Sequence, residues 1–241
     1  MTVKDKVAIV TGASMGIGEA TARLLTKKGA KVALVARSKG KLERLSKELK
    51  GSFVVVCDMT APAAIKRMVK QVVSHYGRVD ILVNNAGRGY DASIEDTNVK
   101  TFSELFKLDL IGPLIAMQQV IPVMKKNKKS AIINISSGTA LMTLPNMAAY
   151  SSLKRALAGI SLTAGEELKH NNISVGVVYP FITATNFEKN TIKEGKGLEW
   201  PEEGGSSEIP PADSAEYVAQ KIVAGVETGA AEIYAHDWMK K

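Results

Sequence analysis

Short apolar runs alternate with longer amphipathic stretches along most of the 241 residues. The runs at 7–10, 31–35, 52–56, 81–83, 131–135 and 174–178 read as strands, and 232–235 reads as a seventh. The stretches at 15–28, 39–49, 63–76, 148–170 and 212–226 read as helices. A longer helical region spans 99–126, where Pro113 and Pro122 should kink or break it. Strands that are apolar without alternation have no face for water, so both faces must be covered. Strand–helix alternation then predicts a parallel sheet between two helical layers. Right-handed crossovers make that sheet doubly wound. The expected architecture is α/β, a single domain over 1–241 with a mostly parallel seven-stranded sheet, Rossmann-type, and helices on both faces. One stretch breaks the pattern. Residues 183–211 are rich in Gly, Glu, Ser and Pro and carry Phe187 and Trp200. So long an insertion is usually functional or disordered, and its two rings suggest a mobile lid.

Composition excludes some classes. With 45% apolar and 23% charged residues the chain resembles an ordinary soluble protein. Cys57 is the sole cysteine, so no internal disulfide can form, and it ends an apolar strand where a core position is expected. The polar N-terminus does not read as a signal peptide, and no apolar run reaches the roughly 18–20 residues that a membrane helix needs. A cytoplasmic protein with no membrane partner is the expectation. The net charge of +8 invites a polyanionic partner. The lysine-rich stretches at 37–50 and 125–129 lack the interleaved rings of a base-stacking surface, so no nucleic acid is expected. His75, His170 and His236 lie far apart without metal-ligand spacing and read as surface residues, so no metal site is expected.

The chemistry gathers at the ends of strands. Thr11-Gly-Ala-Ser-Met-Gly-Ile-Gly18 joins the first strand to the first helix. Gly12, Gly16 and Gly18 would let the backbone, with Ser14, Met15 and Ile17 between them, approach a dinucleotide pyrophosphate at a helix N-terminus. Glycines serve ordinary turns too, but the strand–turn–helix context favours the cofactor. The second strand ends at Ala36-Arg37-Ser38, with no acid to bind the ribose 2′-hydroxyl of NAD. Arg37 could pair with the 2′-phosphate of NADP, its alternative being a solvated surface arginine. Asn84-Asn85-Ala86-Gly87 after the fourth strand suits either a ligand crevice or a plain turn.

Tyr150 and Lys154 stand at i and i+4 of a helix and share one face. A free phenol, with a pKa of ~10, exchanges protons poorly near neutrality. An ammonium ~5 Å away contributes ~3.3 kcal/mol at an effective dielectric of ~20, roughly 2.4 pKa units, and would bring the phenol into working range. Ser137 sits thirteen residues upstream of Tyr150, at the end of a strand.

These pieces, with Asp58, resemble in order and spacing the short-chain dehydrogenase/reductase family, over nearly the whole chain. The resemblance implies that Tyr150 is the general acid in carbonyl reduction and the base in oxidation. Lys154 would stabilise the phenolate and hold the nicotinamide ribose, and Ser137 would bond the substrate oxygen. Asp58 and Met59 would lie at the adenine. Asn84, Asn85, Ala86 and Gly87 would line the cofactor cleft, and Pro180, Ile182 and Thr185 would touch the nicotinamide. The implied cofactor is NADP, the partner a small carbonyl or alcohol, and the assembly a homodimer or homotetramer built on 99–126 and 148–170. Ser137, Leu141, Met142, Met147, Tyr150, Phe181 and Phe187 would line a mostly apolar pocket. A medium-sized ketone or aldehyde fits it best, with a 3-oxoacyl thioester as the other substrate class. Two residues depart from the family pattern. Asp109 stands where an asparagine is usual, and its charge could offset the help Lys154 gives Tyr150. Phe181 replaces a glycine and would narrow the pocket. These two departures are the only support for a rival reading, a non-catalytic NADP(H)-binding regulator.

Overall fold

The computed structural model describes residues 1–195 and 211–240. The chain runs β1 (Val7–Thr11), α1 (Gly16–Lys27), β2 (Lys31–Ala36), α2 (Lys39–Glu48), β3 (Phe53–Val56), α3 (Pro62–Tyr76) and β4 (Ile81–Asn84). It continues through β5 (Tyr90–Asp91), α4 (Val99–Phe106), a π-turn (Lys107–Ile111), α5 (Gly112–Met124), β6 (Ser130–Ile135) and α6 (Ala148–Leu168). It ends with β7 (Ile173–Tyr179), β8 (Ile192–Lys193), α7 (Ala215–Thr228) and β9 (Glu232–Tyr234). Seven strands form one sheet in the order β3-β2-β1-β4-β6-β7-β9, every pair parallel.

The two-sided burial expected from unbroken apolar strands is visible within β1. Ala8 and Val10 pack with α1, α2 and α7 on one face, while Val7 and Ile9 pack with α3 and α5 on the other. Strand order reverses between β1 and β4, the place where a doubly wound sheet opens a crevice beyond its carboxyl ends. The parallel register sets the ends of β1, β4, β6 and β7 along one edge, with Gly12, Asn85, Ser137 and Pro180 just beyond them.

Element bounds shift by a few residues from those read in the sequence, and four features differ in kind. The last helix begins at Ala215, not 212, because the Ser214 side chain caps it by accepting from the Tyr217 N–H. The long helical region breaks before Pro113, not at it. The Gly112 N–H reaches back to the Lys107 carbonyl and so makes the π-turn, and Pro122 lies inside α5. Contrary to the expectation from the sequence, the stretch Val99–Met124 is long and apolar enough, by length and composition alone, to cross a bilayer. Core helices pass the same measure, and here α5 packs on α3. Finally, β5 and β8 form a small parallel pair that the sequence did not announce.

The π-turn brings the helix against the loop after β3. A Cβ on Gly112 would lie 2.4 Å from the main-chain carbonyl oxygen of Met59, a contact neither side can relieve by a rotamer change. Gly112→Ala should therefore destabilise by about 1–3 kcal/mol despite alanine's better helix propensity. A urea midpoint equal to that of the wild type would show that the approach is not tight.

Candidate functional site

The glycine turn is built for close backbone approach. Gly12 and Gly16 have φ of +68° and +57°, in the left-handed region. A Cβ on Gly12 would fall 2.7 Å from Asn85 Nδ2, and one on Gly18 would fall 2.3 Å from the Gly12 carbonyl oxygen. Asn85 locks the turn, donating from Nδ2 to the Thr11 carbonyl at 3.0 Å. Thr11 Oγ1 accepts from the N–H groups of Asn85 and Ala86 at 2.9 and 3.0 Å. Sequence reasoning missed Thr11, whose hydroxyl joins the ends of β1 and β4. No side chain caps α1 at Met15, so its first N–H groups keep their donor capacity. Ser14, Met15 and Ile17 are half-buried along the turn. A bare backbone cradle at an uncapped helix N-terminus fits a dinucleotide pyrophosphate.

At the end of β2, Arg37 and Ser38 are exposed. Asp58 lies close enough to feel the Arg37 charge, and its Oδ1 accepts from the Thr60 N–H and hydroxyl at 2.9 and 2.8 Å. Those bonds, led by the Thr60 amide, hold its carboxyl below the usual range. Met59 is a core side chain, and its carbonyl oxygen lies against Gly112. Asn84 corrects the sequence reading. It is buried, and its Nδ2 donates to Asn134 Oδ1 at 2.8 Å, while Asn134 Nδ2 donates to Ser161 Oγ at 2.8 Å. That chain ties β4 to β6 and α6, so Asn84 does not line a cleft. Cys57 is buried as expected, its thiol pushed up to about 11 by burial.

Tyr150 and Lys154 project from the start of α6 and are 7% and 5% exposed. Lys154 Nζ lies 5.6 Å from the phenol ring centre, donates to the Ile135 carbonyl at 3.2 Å, and meets Asp109 Oδ1 at 2.7 Å. The Asp109 contact is an ion pair more than a well-directed hydrogen bond, since the approach to Oδ1 falls outside good bonding angles. Asp109 Oδ2 accepts the Arg88 N–H at 3.4 Å. Gly87 roofs the pair, and a Cβ there would stand 2.6 Å from Asp109 Oδ1 and 3.2 Å from Lys154 Nζ. Ser137 Oγ accepts from Thr139 N–H and Oγ1 at 3.2 and 3.0 Å.

The electrostatics depart from the simple tyrosine–lysine expectation. Burial pushes the Tyr150 phenol above its ordinary value; Lys154 and Ser137 oppose this, and Asp109 reinforces it. The shift is thus upward, not down into working range. Burial works against the Lys154 ammonium, but Asp109 and Tyr150 outweigh it and hold its proton more firmly. Burial raises the Asp109 carboxyl against the pull of Lys154. The two partners' shifts differ in what they favour, and the 2.7 Å contact between oppositely chargeable atoms decides for a paired ammonium and carboxylate.

The segment after β7 closes over this edge. The Pro180 carbonyl accepts the Gly138 N–H at 2.7 Å, and Thr185 methyl packs within 3.2 Å of where a Gly16 Cβ would be. Ile182 is exposed and its main chain pairs with Asp213. Residues 183–195 are more structured than an unanchored lid would be. Arg88 Nε donates to the Asn190 carbonyl at 2.7 Å, β8 pairs with β5, and Glu194 accepts from Tyr90, Asn98 and Thr101. The Phe187 ring sits 6.1 Å from that of Tyr150. Trp200 and the rest of 196–210 lie outside the described residues. Phe181 packs edge-on to Trp238 at 5.2 Å and beside Leu141, so its ring joins the C-terminal segment. His236 is not a plain surface residue. Its Nε2 lies 3.0 Å from both oxygens of Asp213, and its ring stacks with Tyr217 and Trp238. No spacing in the sequence announces that pairing, which β9 and the start of α7 create.

The chain belongs to the short chain dehydrogenase family, whose profile matches residues 6–196. It is 34% identical over 199 residues to an uncharacterized oxidoreductase of Staphylococcus epidermidis, covering 82% of this chain and 86% of that one. It is 35% identical over 194 residues to the 3-oxoacyl-[acyl-carrier-protein] reductase of Thermotoga maritima, covering 78% and 79%. A short-chain dehydrogenase structure from Streptomyces avermitilis superposes with a TM-score of 0.86 at 26% identity, covering 99% of this chain and 90% of that one. The 3-ketoacyl-(acyl-carrier-protein) reductase of Brucella melitensis complexed with NADH gives 0.85 at 25% identity, covering 97% and 98%. The protein is thus an oxidoreductase of this family, with the fold that family uses.

The raised phenol carries a stability consequence. A group whose pKa is higher folded than unfolded stabilises fully below its unfolded pKa, and that contribution fades as pH rises through the folded value. Tyr150 and Lys154 both follow this sign, so stability should fall above about pH 10, where the free groups titrate. Tyr150→Phe lacks the phenol's share. Its urea midpoint should gain on that of the wild type between about pH 8 and about pH 10.5. A gap independent of pH would contradict a raised phenol.

Proposed function

We propose that this protein is an NADP(H)-dependent oxidoreductase interconverting a carbonyl and a secondary alcohol, with a medium-sized apolar ketone or aldehyde as substrate. The observation that carries the reading is the buried pair of Tyr150 and Lys154, with half-buried Ser137 after β6, beside the glycine cradle. Bound there, the cofactor supplies or accepts the hydride. Gly12, Ser14, Met15, Gly16, Ile17 and Gly18 would hold its pyrophosphate, with Asp58 and the Met59 main chain at the adenine. Asn85, Ala86, Gly87, Pro180, Ile182 and Thr185 would hold its nicotinamide half. Arg37 and Ser38 would take the 2′-phosphate.

In reduction, Ser137 orients the substrate oxygen and Tyr150 gives it a proton. In oxidation Tyr150 takes that proton back. Lys154 steadies the phenolate formed in reduction and holds the nicotinamide ribose. The side chains of Met142, Met147 and Phe187 leave the pocket mostly apolar, which favours a hydrocarbon-bearing carbonyl over a sugar. The stretch 183–211, anchored through Asn190 and β8 at its described start, would serve as the substrate lid of a single-domain, cytoplasmic homodimer or homotetramer that associates through α4–α5 and α6. A second substrate class, a 3-oxoacyl thioester, is favoured by the 35% identity to a reductase named for that substrate.

Assays with NADPH against ketones, aldehydes and a 3-oxoacyl thioester test the reading. Tyr150→Phe should bind NADPH almost normally and lose most turnover, because only the proton donor is gone. Full turnover in the folded variant would refute the role of Tyr150. Tight NADPH binding with no turnover on any carbonyl would favour a regulator.

Cofactor choice is tested separately. NADPH should bind more tightly than NADH. Arg37→Ala should weaken NADPH by roughly 10- to 150-fold, the worth of a charge-assisted contact at about 1.5–3 kcal/mol. Equal wild-type affinities for the two cofactors would remove Arg37 from the site.

A further inference from the structure

Ser137, Tyr150 and Lys154 all have parts in the proposed reaction, but Asp109, the carboxylate at the heart of the site, has none. It is 1% exposed, sits in the π-turn between α4 and α5, and faces inward. Burying a carboxylate is costly unless it is paired. Its charged partner is the ammonium that stands beside the phenol, at 2.7 Å. The backbone is shaped around the contact. The π-turn carries Asp109 inward, the Arg88 amide points at Oδ2, and a Cβ at position 87 would crowd both members of the pair.

We propose that Asp109 is a positioning residue. By pairing with Lys154 it cancels much of the ammonium's field at Tyr150, and so extends towards alkaline pH the range in which the phenol carries its proton. This rests on the reading of Tyr150 as the proton donor. Among the described residues the groups that face Tyr150 are few, and the phenol of Tyr90 from β5 packs in the same cluster. Lys154 comes from its own helix, Asp109 from the π-turn, Ser137 from the end of β6, and the uncharged Phe187 from the segment after β7. Asp109 is the only negative group among them. Its presence keeps the site loaded for protonating a carbonyl oxygen. It does not set the net direction of reaction, which substrate and cofactor concentrations decide. The raised phenol agrees with this arrangement.

The test needs no substrate. Tyrosinate absorbance is followed in alkaline titrations of the wild type and Tyr150→Phe, and their difference isolates Tyr150 from the other tyrosines. The same difference is taken between Asp109→Asn and Asp109→Asn/Tyr150→Phe. Asparagine keeps size and main chain and removes the charge. The Tyr150 midpoint should fall by about one pH unit in the Asp109→Asn pair. An unmoved midpoint overturns the proposal. So does a higher one, which would mean that Lys154, left buried without its counter-ion, has given up its proton instead. If Asp109→Asn does not fold, Asp109→Ser, which also removes the charge, replaces it in the same difference titration, and an unmoved or higher Tyr150 midpoint again overturns the proposal. In turnover assays the alkaline fall of carbonyl reduction should move with the midpoint. A shifted titration with no carbonyl turnover would retain the coupling and refute the proposed reaction, which separates the two failures.

Discussion

A parallel sheet buried on both faces leaves its strand ends as the place where polar groups can meet. In this protein β1, β2, β4 and β6 are apolar over nearly their whole length and lie between two helical layers. The functional groups are therefore displaced to the loops beyond the carboxyl ends. The glycine turn follows β1, Asn85 and Gly87 follow β4, Ser137 follows β6, and Pro180 to Thr185 follow β7. Parallel register makes these loops neighbours although they lie far apart along the chain.

Polar clamps hold that edge. Thr11 Oγ1 binds the amides of Asn85 and Ala86, and Asn85 returns a bond to Thr11, so the first and fourth loops move as one. Below them the Asn84–Asn134–Ser161 chain joins β4, β6 and α6 inside the core. Ser136 Oγ donates to the Lys154 carbonyl at 2.9 Å and so ties the end of β6 to the helix bearing Tyr150. Such buried networks specify a geometry more than they add stability. Here they fix the relation between the cofactor cradle and the phenol.

The Asp109–Lys154 pair alters what the same fold would otherwise provide. A lone buried ammonium would draw the phenol towards ionisation. A paired one is nearly neutral at a distance, and burial then dominates. One carboxylate, placed by a π-turn that the sequence did not announce, changes the electrostatic character of the site around Tyr150 and Lys154.

Most of the architecture was legible in the sequence because burial on two faces writes itself into apolar strands, and hydrogen-bonded helices into amphipathic spacing. The strands, the order of elements and the glycine turn all follow from that. Ser137, Tyr150 and Lys154 could be singled out because each sits at a fixed distance along one helix or strand end. Tertiary structure alone decided where polar side chains point and what they meet. It turned Asn84 into the core, joined His236 to Asp213, packed Phe181 against Trp238, and set Asp109 on Lys154. Periodicity reports which face of an element is buried. It carries no information about which distant group lies opposite, and the energy of a charge or a buried amide depends on that neighbour.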